Sequence, residues 1–587
     1  MHNATLGGVE GWQAAGTSLV DGRASGEVLF ADVGLSFWGG VDPQTGEIVD
    51  RDHPLCGRNV AGRIVAIPGG RGSCTGSSVL MQLMLDGHGP AGMVFAQCED
   101  ILTLGVVVAQ EMFATSIPMV SLAPAQFAEL ARVRVAEIDH RMVRDIGDPR
   151  ARHPAPAGAP GLTPALELTA RDRALLDGPG PEATRIAMRI IVRMARIVGA
   201  TRLVDVTQAH VDGCIYTGEA SLRFARLLCD RGAEVAVPTT LNAISVDRRN
   251  WRAQGIDPSL GVPAADLADA YVRMGAQPTF TCAPYQLATA PARGEHIAWA
   301  ESNAVVYANS VLGARTMKYP DYLDICIALT GRAPLSGCHV EANRRARMMI
   351  VVPDLGRIDE SFYPLLGYHA GALSPSGIPV VAGLEHLSPS PDDLKAFGAA
   401  FATTSGAPMF HMLGITPEAS TLAQATGTQG DIETIHIDRA GLARSWRKLN
   451  GAAGTAVDLI SLGNPHFSCA EFEKLASLCQ GRRRHPATAA VVTCGRATLD
   501  QIMRSGIDRG LAAFGFRFVV DACWCTVVEP VIPPAARTIM TNSGKYAHYG
   551  PGLTGRAFHF GSLADCVDAA CAGRTSGLLP AWLEDKG

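Results

Sequence analysis

The sequence predicts an α/β protein of layered domains with substantially parallel sheets, and three observations carry that expectation. From residue 163 onward, short β-branched runs alternate with stretches of helical spacing, the pattern that successive βα units produce. Near the N-terminus, Gly62-Arg-Ile-Val-Ala-Ile-Pro68 reads as a buried strand that feeds a glycine-rich turn and then the helix-compatible run Val79-Leu-Met-Gln-Leu-Met-Leu85. Between these regions, Ile146–Gly161 holds four prolines and three glycines without a periodic apolar pattern. Such a segment is a stiff linker between two independently packed bodies that can move against each other. The chain therefore divides into a small domain at 1–145, a linker at 146–162 and a larger α/β region at 163–587.

Composition bounds the function. A chain of 587 residues holds about three or four domains. Its net charge of −5 supplies no basic field for nucleic acid or an anionic membrane, so a small-molecule substrate is expected. The N-terminus lacks a basic stretch followed by an apolar one, and no apolar run approaches the roughly 18 residues of a membrane span. A cytoplasmic location follows. The 15 cysteines lack the dense, regular spacing of a disulfide scaffold and include no Cys-x-x-Cys pair, so they read as thiols. Any metal ligands must converge from distant segments.

Within the small domain, Asp42-Pro-Gln-Thr-Gly46 and His53-Pro-Leu-Cys-Gly57 are turn signals. Gly69-Gly-Arg-Gly-Ser-Cys-Thr-Gly-Ser-Ser78 is the glycine loop, with Ser77 or Ser78 able to cap the helix that follows. Free backbone amides there favour negative charge, either a substrate carboxylate or a serine alkoxide beside Ser73 and Ser77. The loop is not a nucleotide P-loop, because no lysine follows Gly76. Ala91–Ala96 reads as a second strand, Thr103–Gln110 as strand or helix, and Ser116–Ser121 as an edge strand or strand start because of its proline.

In the larger region, Thr163-Pro-Ala-Leu-Glu-Leu168 reads as a capped helix start and Pro181–Ile197 as an amphipathic helix. Strands are expected at Leu203–Thr207, Glu234–Pro238, Met348–Pro353, Pro379–Ala382, Ala456–Ser461, Ala489–Thr493 and Phe516–Asp521. Ligands of parallel sheets sit beyond strand C-termini. There the chain places Gln208–Tyr216 with His210, Thr239–Ala243 with Asn242, Gly463-Asn-Pro-His-Phe-Ser468 and Asp521-Ala-Cys-Trp-Cys525. Thr279-Phe-Thr-Cys-Ala-Pro-Tyr285 sets a thiol before a proline-restrained backbone. Glu301–Ser310 groups a carboxylate, hydroxyls and amides near a helix start, and Thr541–Gly550 adds Lys545 among small residues.

Together, Asp42-Pro-Gln-Thr-Gly, Gly-Arg-Gly-Ser-Cys-Thr-Gly-Ser, Thr-Cys-Ala-Pro-Tyr, Glu-Ser-Asn-Ala-Val, Gly-Asn-Pro-His-Phe-Ser and Thr-Asn-Ser-Gly-Lys-Tyr-Ala-His-Tyr resemble the aconitase X family over nearly the whole chain. The resemblance implies an aconitase-like α/β fold, with a small swivel domain closing over a three-domain catalytic body. Here the two are fused in one polypeptide, as in family members that dehydrate cis-3-hydroxy-L-proline, so no separate small subunit is called for. It further implies that Ser77 removes the substrate Cα proton, that Gly213, Cys214, Ile215, Asn242 and Ala243 contact substrate, and that Lys545 holds its carboxylate. Cys282 and Cys523 match cysteines that bind an iron–sulfur cluster, but Asn464 stands where a third would be. A [2Fe–2S] centre is the expectation that suits this departure. Cys525 and Cys338 are rival third ligands; an extended backbone would point Cys523 and Cys525 the same way, with Trp524 opposite.

The chemistry explains the requirement. Hydroxide leaves poorly and an amino-acid Cα–H is weakly acidic, so dehydration needs a Lewis acid on the hydroxyl and a positioned base. The expected reaction, with Ser77 as base, yields Δ1-pyrroline-2-carboxylate through an enamine. Mevalonate 5-phosphate dehydration is the alternative of the same chemistry. RNA binding is the alternative of another class, resting on Gly481-Arg-Arg-Arg-His485.

Overall fold

The computed structural model describes residues 12–71, 73–147, 165–427 and 432–584. The N-terminal body is built on one sheet, with strands β1 (Gln13–Ala15), β2 (Thr17–Val20), β3 (Arg23–Phe30), β4 (Ile64–Ile67), β5 (Gly92–Phe95), β6 (Met119–Ser121), β7 (Val135–Asp139) and β8 (Met142–Asp145). Their order is β1-β8-β7-β3-β4-β5-β6-β2. β3 to β6 run parallel, whereas the flanking pairs are antiparallel. Every residue of β4 and β5 is buried, which is why both read as continuous apolar runs rather than alternating ones.

Helices α1 (Gly76–Leu85) and α2 (Ile101–Phe113) follow β4 and β5. The ambiguous Thr103–Gln110 lies inside α2 and is buried on nearly all sides. An all-round apolar helix must be covered on both faces, and α1 and α2 share one apolar cluster with helices Glu182–Ile197 and Glu219–Asp230 of the larger region. The two bodies are thus not packed independently. β6 is no edge strand either, since β2 pairs against its free side. Pro118 sits just before β6, where its missing N–H costs the ladder nothing and its carbonyl accepts from Met93 (3.0 Å). The linker expected at 146–162 lies almost wholly outside the described residues.

The larger region carries three parallel sheets. One orders Thr239–Leu241, Ala209–Val211 and Ala298–Trp299; a second orders His411–Met412, Pro379–Ala382, Met348–Val351 and Glu433–His436. The third orders Phe516–Val520, Ala489–Cys494, Leu459–Phe467, Thr538–Thr541 and Ala557–Phe560.

Several expected elements shift. Leu203–Asp205 is a strand, but it pairs antiparallel with Arg332–Pro334 outside these sheets. Glu234–Pro238 is no strand: the Val235 and Ala236 amides donate to the carbonyls of Met274 (2.9 Å) and Ala328 (2.7 Å), so pairing begins only at Thr239. Residues 165–168 are not helical, and the helix starts at Ala170 behind a Thr169–Asp172 capping box. Among the described residues no helix is long and apolar enough to cross a membrane.

Candidate active site

Two of the parallel sheets deliver polar groups from their C-terminal ends, as open α/β sheets do. Asp212 follows Ala209–Val211, Asn242 follows Thr239–Leu241, and Glu301 follows Ala298–Trp299. From the five-stranded sheet come Asp521–Cys525 after Phe516–Val520, and Asn542–Lys545 after Thr538–Thr541. The Gly-Asn-Pro-His motif lies within its strand rather than beyond it, because Leu459–Phe467 runs through the whole motif. The strand is bulged between Leu462 and Phe467. Gly463 makes the bulge possible at a φ of +94°, where an added Cβ would lie 2.0 Å from the Thr493 carbonyl oxygen.

These ends bring three thiols together. Ala243, Cys282 and Cys523 form a small buried cluster, with Cys525 against it. The Asn464 amide donates toward Cys525 Sγ (3.3 Å) and Cys523 Sγ (3.5 Å), and the His466 N–H donates to Cys282 Sγ (3.3 Å). The Cys523 thiol is pushed up by its hydrogen bond with Cys282, and burial adds to the effect. The extended backbone expected for residues 523–525 is a turn, closed by Thr526 N–H to the Cys523 carbonyl (2.8 Å). Trp524 nonetheless points away, buried with its indole N–H on the Leu462 carbonyl (2.6 Å). Cys338 does not join this group. It is buried in a separate apolar core, where Arg344 and Glu418 are the charges that act on its thiol.

Whether these residues suit an iron–sulfur cluster turns on one atom. Asn464 Oδ1 is buried without a hydrogen-bond partner, an expensive state for an amide oxygen unless something else engages it. With two or three soft thiol ligands beside it, the donor set suits iron–sulfur chemistry. Among the described residues no group of three or more His, Cys, Asp or Glu side chains is arranged to hold a metal ion.

Lys545 sits in the first turn of helix Gly544–Thr554, behind a Ser543 cap. A cation there opposes the helix dipole, and Glu301 offsets it through an ion pair of 2.7 Å. Burial works against the ammonium, but Glu301 and the Cys525 and Cys523 sulfurs hold its pKa well above the ordinary lysine range. Glu301 also caps helix Ser302–Tyr307 and accepts from Asn303, whose amide reaches the Cys282 carbonyl (2.9 Å). The cap and the lysine pair coexist on this one carboxylate.

The serine loop meets this region from the other body. Thr75 occupies the N-cap of α1 without a side-chain cap, so neither Ser77 nor Ser78 caps the helix. Both lie in its first turn, donating back to the carbonyls of Cys74 (3.0 Å) and Thr75 (2.9 Å). Ser77 Oγ also approaches the Asp321 carbonyl (3.3 Å), and Ser78 Oγ approaches Asp321 Oδ2 (3.2 Å). Among the described residues the Ser77 and Ser78 amides have no backbone acceptor, the usual state of a helix's first turn. Ser73 makes a tight turn with Thr75 (3.1 Å between hydroxyls). Gly105 of α2 allows the close approach: a Cβ there would lie 2.4 Å from the Ser77 carbonyl oxygen.

Beneath the serines lie three buried carboxyls that sequence reasoning missed. Asp324 accepts from the amides of Asp212 (2.6 Å) and Gly213 (3.2 Å), and Asp212 accepts from Asn242. Burial raises the pKa of all three, Asp324 to about 6, and Glu301 and Asp324 push Asp212 further up. Nothing in the local sequence around Asp321 or Asp324 signals this; only the convergence of chain segments does. Asn242 Oδ1 takes the Ala243 amide (2.7 Å), linking this acidic floor to the thiols. Cys214 donates to the carbonyls of Val211 and Asn242 (3.4 Å each), and Ile215 closes the turn on Asp212. His210 is no loop residue: it lies in strand Ala209–Val211, bonded to Thr240 (2.8 Å) and against Trp299. Burial pulls its pKa down to about 3, so it stays neutral.

Family models match along the chain: the aconitase X swivel domain at 13–144, first domain at 165–342, second domain at 346–447 and third domain at 457–572. The chain is 55% identical to a cis-3-hydroxy-L-proline dehydratase of Hypocrea jecorina, covering 97% of both chains. It is also 55% identical to one of Pseudomonas aeruginosa, covering 97% of this chain and 98% of the relative. A crystal structure of Thermococcus kodakaraensis aconitase X in its holo-form aligns at a TM-score of 0.62 and 30% identity, over 69% of this chain and 100% of that one.

Proposed function

The chain belongs to the aconitase X family and is a hydro-lyase of its dehydratase kind, and from that premise we propose that it converts cis-3-hydroxy-L-proline to Δ1-pyrroline-2-carboxylate. One observation carries the substrate. The 55% identity to two cis-3-hydroxy-L-proline dehydratases extends over 97% of this chain, swivel and body alike.

In this reading Cys282, Cys523 and Asn464 hold an iron–sulfur cluster of the [2Fe–2S] type, with Cys525 at hand as the rival third ligand. The orphaned Asn464 oxygen beside the thiols supports it. When bound, the cluster supplies a Lewis acid for the departing 3-hydroxyl.

The remaining work falls to the chain. Lys545 holds the substrate carboxylate, its charge secured by Glu301. Ser77 takes the Cα proton, and the free amides of the first turn of α1, with its dipole, stabilise the alkoxide that accepts it. Gly213, Cys214, Ile215, Asn242 and Ala243 shape the ring pocket, while Ser73 fixes the loop. Burial raises the pKa of Asp212 and Asp321, which limits the negative charge of the floor beneath an anionic substrate, whereas Asp324, raised only to about 6, keeps its charge at neutral pH. The swivel body covers the site and excludes water. The Cα proton taken by Ser77 and the departing hydroxide together make up the water lost, and the enamine that remains tautomerises to the ring imine.

Mevalonate 5-phosphate would need uncommitted cations for its phosphate. Lys545 is assigned to the carboxylate that both substrates carry, and Lys318 is bound to the Ser405 carbonyl (3.1 Å), which favours the smaller substrate. RNA binding loses its local support as well: Arg482 pairs with Asp568 (2.6 Å) and Arg484 with the His485 carbonyl (3.0 Å). The test is anaerobic purification, an absorption and EPR spectrum, and assays on both substrates with the same sample. Turnover of cis-3-hydroxy-L-proline alone, with an iron–sulfur signature that vanishes in Cys282→Ala and Cys523→Ala, is the expected result. Full turnover in iron-free protein overturns the Lewis-acid mechanism.

A further inference from the structure

His466 is fully buried and touches every segment that carries a proposed cluster ligand. It follows Asn464 by two residues on the same strand. Its main-chain N–H donates to Cys282 Sγ (3.3 Å). Its ring Nε2 faces the Ala522 carbonyl (2.9 Å), the residue before Cys523. A carbonyl can only accept, so Nε2 carries the proton and Nδ1 is the lone-pair nitrogen. That nitrogen faces Thr281 Oγ1 (3.2 Å), the residue before Cys282. The assignment is self-consistent, because the Thr281 hydroxyl already accepts the Ala283 amide (3.1 Å) and is left to donate to the imidazole.

The carbonyl of His466 is anchored in turn. Gln286 and Lys395 both donate to it at 3.4 Å. Lys395 is 3% exposed and reaches in from helix Pro391–Thr404 of the second domain, paired with Asp392 (2.8 Å) and Glu471. Ser468, directly beyond the strand, donates to the same Asp392 (2.7 Å). Groups from three domains therefore converge on one residue.

We propose that His466 is a positioning residue whose ring, bridging Thr281 and the Ala522 carbonyl, sets the spacing of Cys282, Cys523 and Asn464 and keeps its main-chain N–H aimed at the Cys282 sulfur, so that it governs how tightly the cluster is held. The inference rests on the iron–sulfur reading above. Partners that orient metal ligands typically change affinity or activity by about 10- to 100-fold when removed, and hydrogen bonds to cluster sulfurs tune the reduction potential.

The test uses the anaerobically purified holoenzyme, with cluster loss to a ferrous chelator followed by absorbance and the reduced protein examined by EPR. His466→Leu is expected to lose its cluster about 10- to 100-fold faster than wild type and to give an altered EPR spectrum. His466→Gln, which restores an N–H near the Nε2 position, recovers part of both properties. Thr281→Val, nearly isosteric and on a different segment from the strand, keeps the question answerable if the leucine variant does not fold; it moves both readouts the same way by a few-fold. A wild-type signature with identical loss rate and spectrum in Thr281→Val and the His466 variants overturns the positioning role alone. A wild-type protein without any iron–sulfur signature overturns the cluster reading and this proposal together.

Discussion

The serine loop meets the acidic floor at Asp321 and the thiol centre is linked to that floor through Asn242, yet the two are built in opposite ways. The loop is one contiguous segment, Ser73–Ser78, whose hydroxyls bond to partners within three residues and otherwise to Asp321 alone. The thiol centre is drawn from residues 243, 282, 464, 466 and 523–525, which meet only because two parallel sheets aim their ends at one place. A local device tolerates change elsewhere in the chain, whereas a convergent one depends on every segment that positions it. Damage to the loop should therefore remove chemistry and leave the thiol centre intact.

The largest expected effect sharpens that contrast. Ser77→Ala should lower turnover at least about a hundredfold, the usual scale for loss of a general base, with an unchanged iron–sulfur spectrum. Near-normal turnover would remove Ser77 from the mechanism, and a bleached spectrum would mean that the two regions are not separable.

A second change probes how local the loop is. Gly105→Val inserts a side chain where even a Cβ lies 2.4 Å from the Ser77 carbonyl. We expect a loss of about 1–3 kcal/mol in urea denaturation, the scale of overpacking, together with about tenfold lower turnover, since misplacing a reacting group by a fraction of an ångström is costly. Lost stability with unchanged turnover would show that the loop holds Ser77 without help from α2.

The smallest effect concerns the contact between the two bodies. His548, beside Lys448 and facing Arg71, Asp50 and Asp52 of the swivel body, bonds the Tyr368 hydroxyl (3.2 Å). Burial, then Arg71 and Lys448, pulls its pKa down to about 4. A histidine lowered in the folded state binds its proton more readily when released, so its contribution is full above about pH 6.5 and fades as the pH falls toward 4. Denaturation midpoints at pH 7.5 and 5 should differ less in His548→Gln than in wild type. An equal difference would place the acid sensitivity on other buried histidines, such as His210.

The same contrast explains what could be read from the chain. Strands β4 and β5 and helix Glu182–Ile197 were legible because their apolar spacing is local. Strands of two or three residues, such as Ala298–Trp299 and His411–Met412, leave no periodic trace. Glu234–Pro238 misled because its β-branched run spends its amides on helix-end carbonyls, which composition does not reveal. Cys282, Cys523 and Asn464 could be singled out by motif. The placement of Cys525 beside them, and of Cys338 in another core, could not.

By itself, then, the sequence determined the layered parallel α/β architecture and the glycine loop with its serines, since each follows from periodicity or spacing within about ten residues, while the residues able to hold a cluster were legible only through the family resemblance of their motifs. The tertiary structure alone decided the rest: the Lys545–Glu301 pair, the floor of Asp212, Asp321 and Asp324, the single apolar cluster joining the two bodies, and His466 at the meeting of three domains. These contacts join residues far apart in the chain, and their energies depend on burial and on partners that no local window contains.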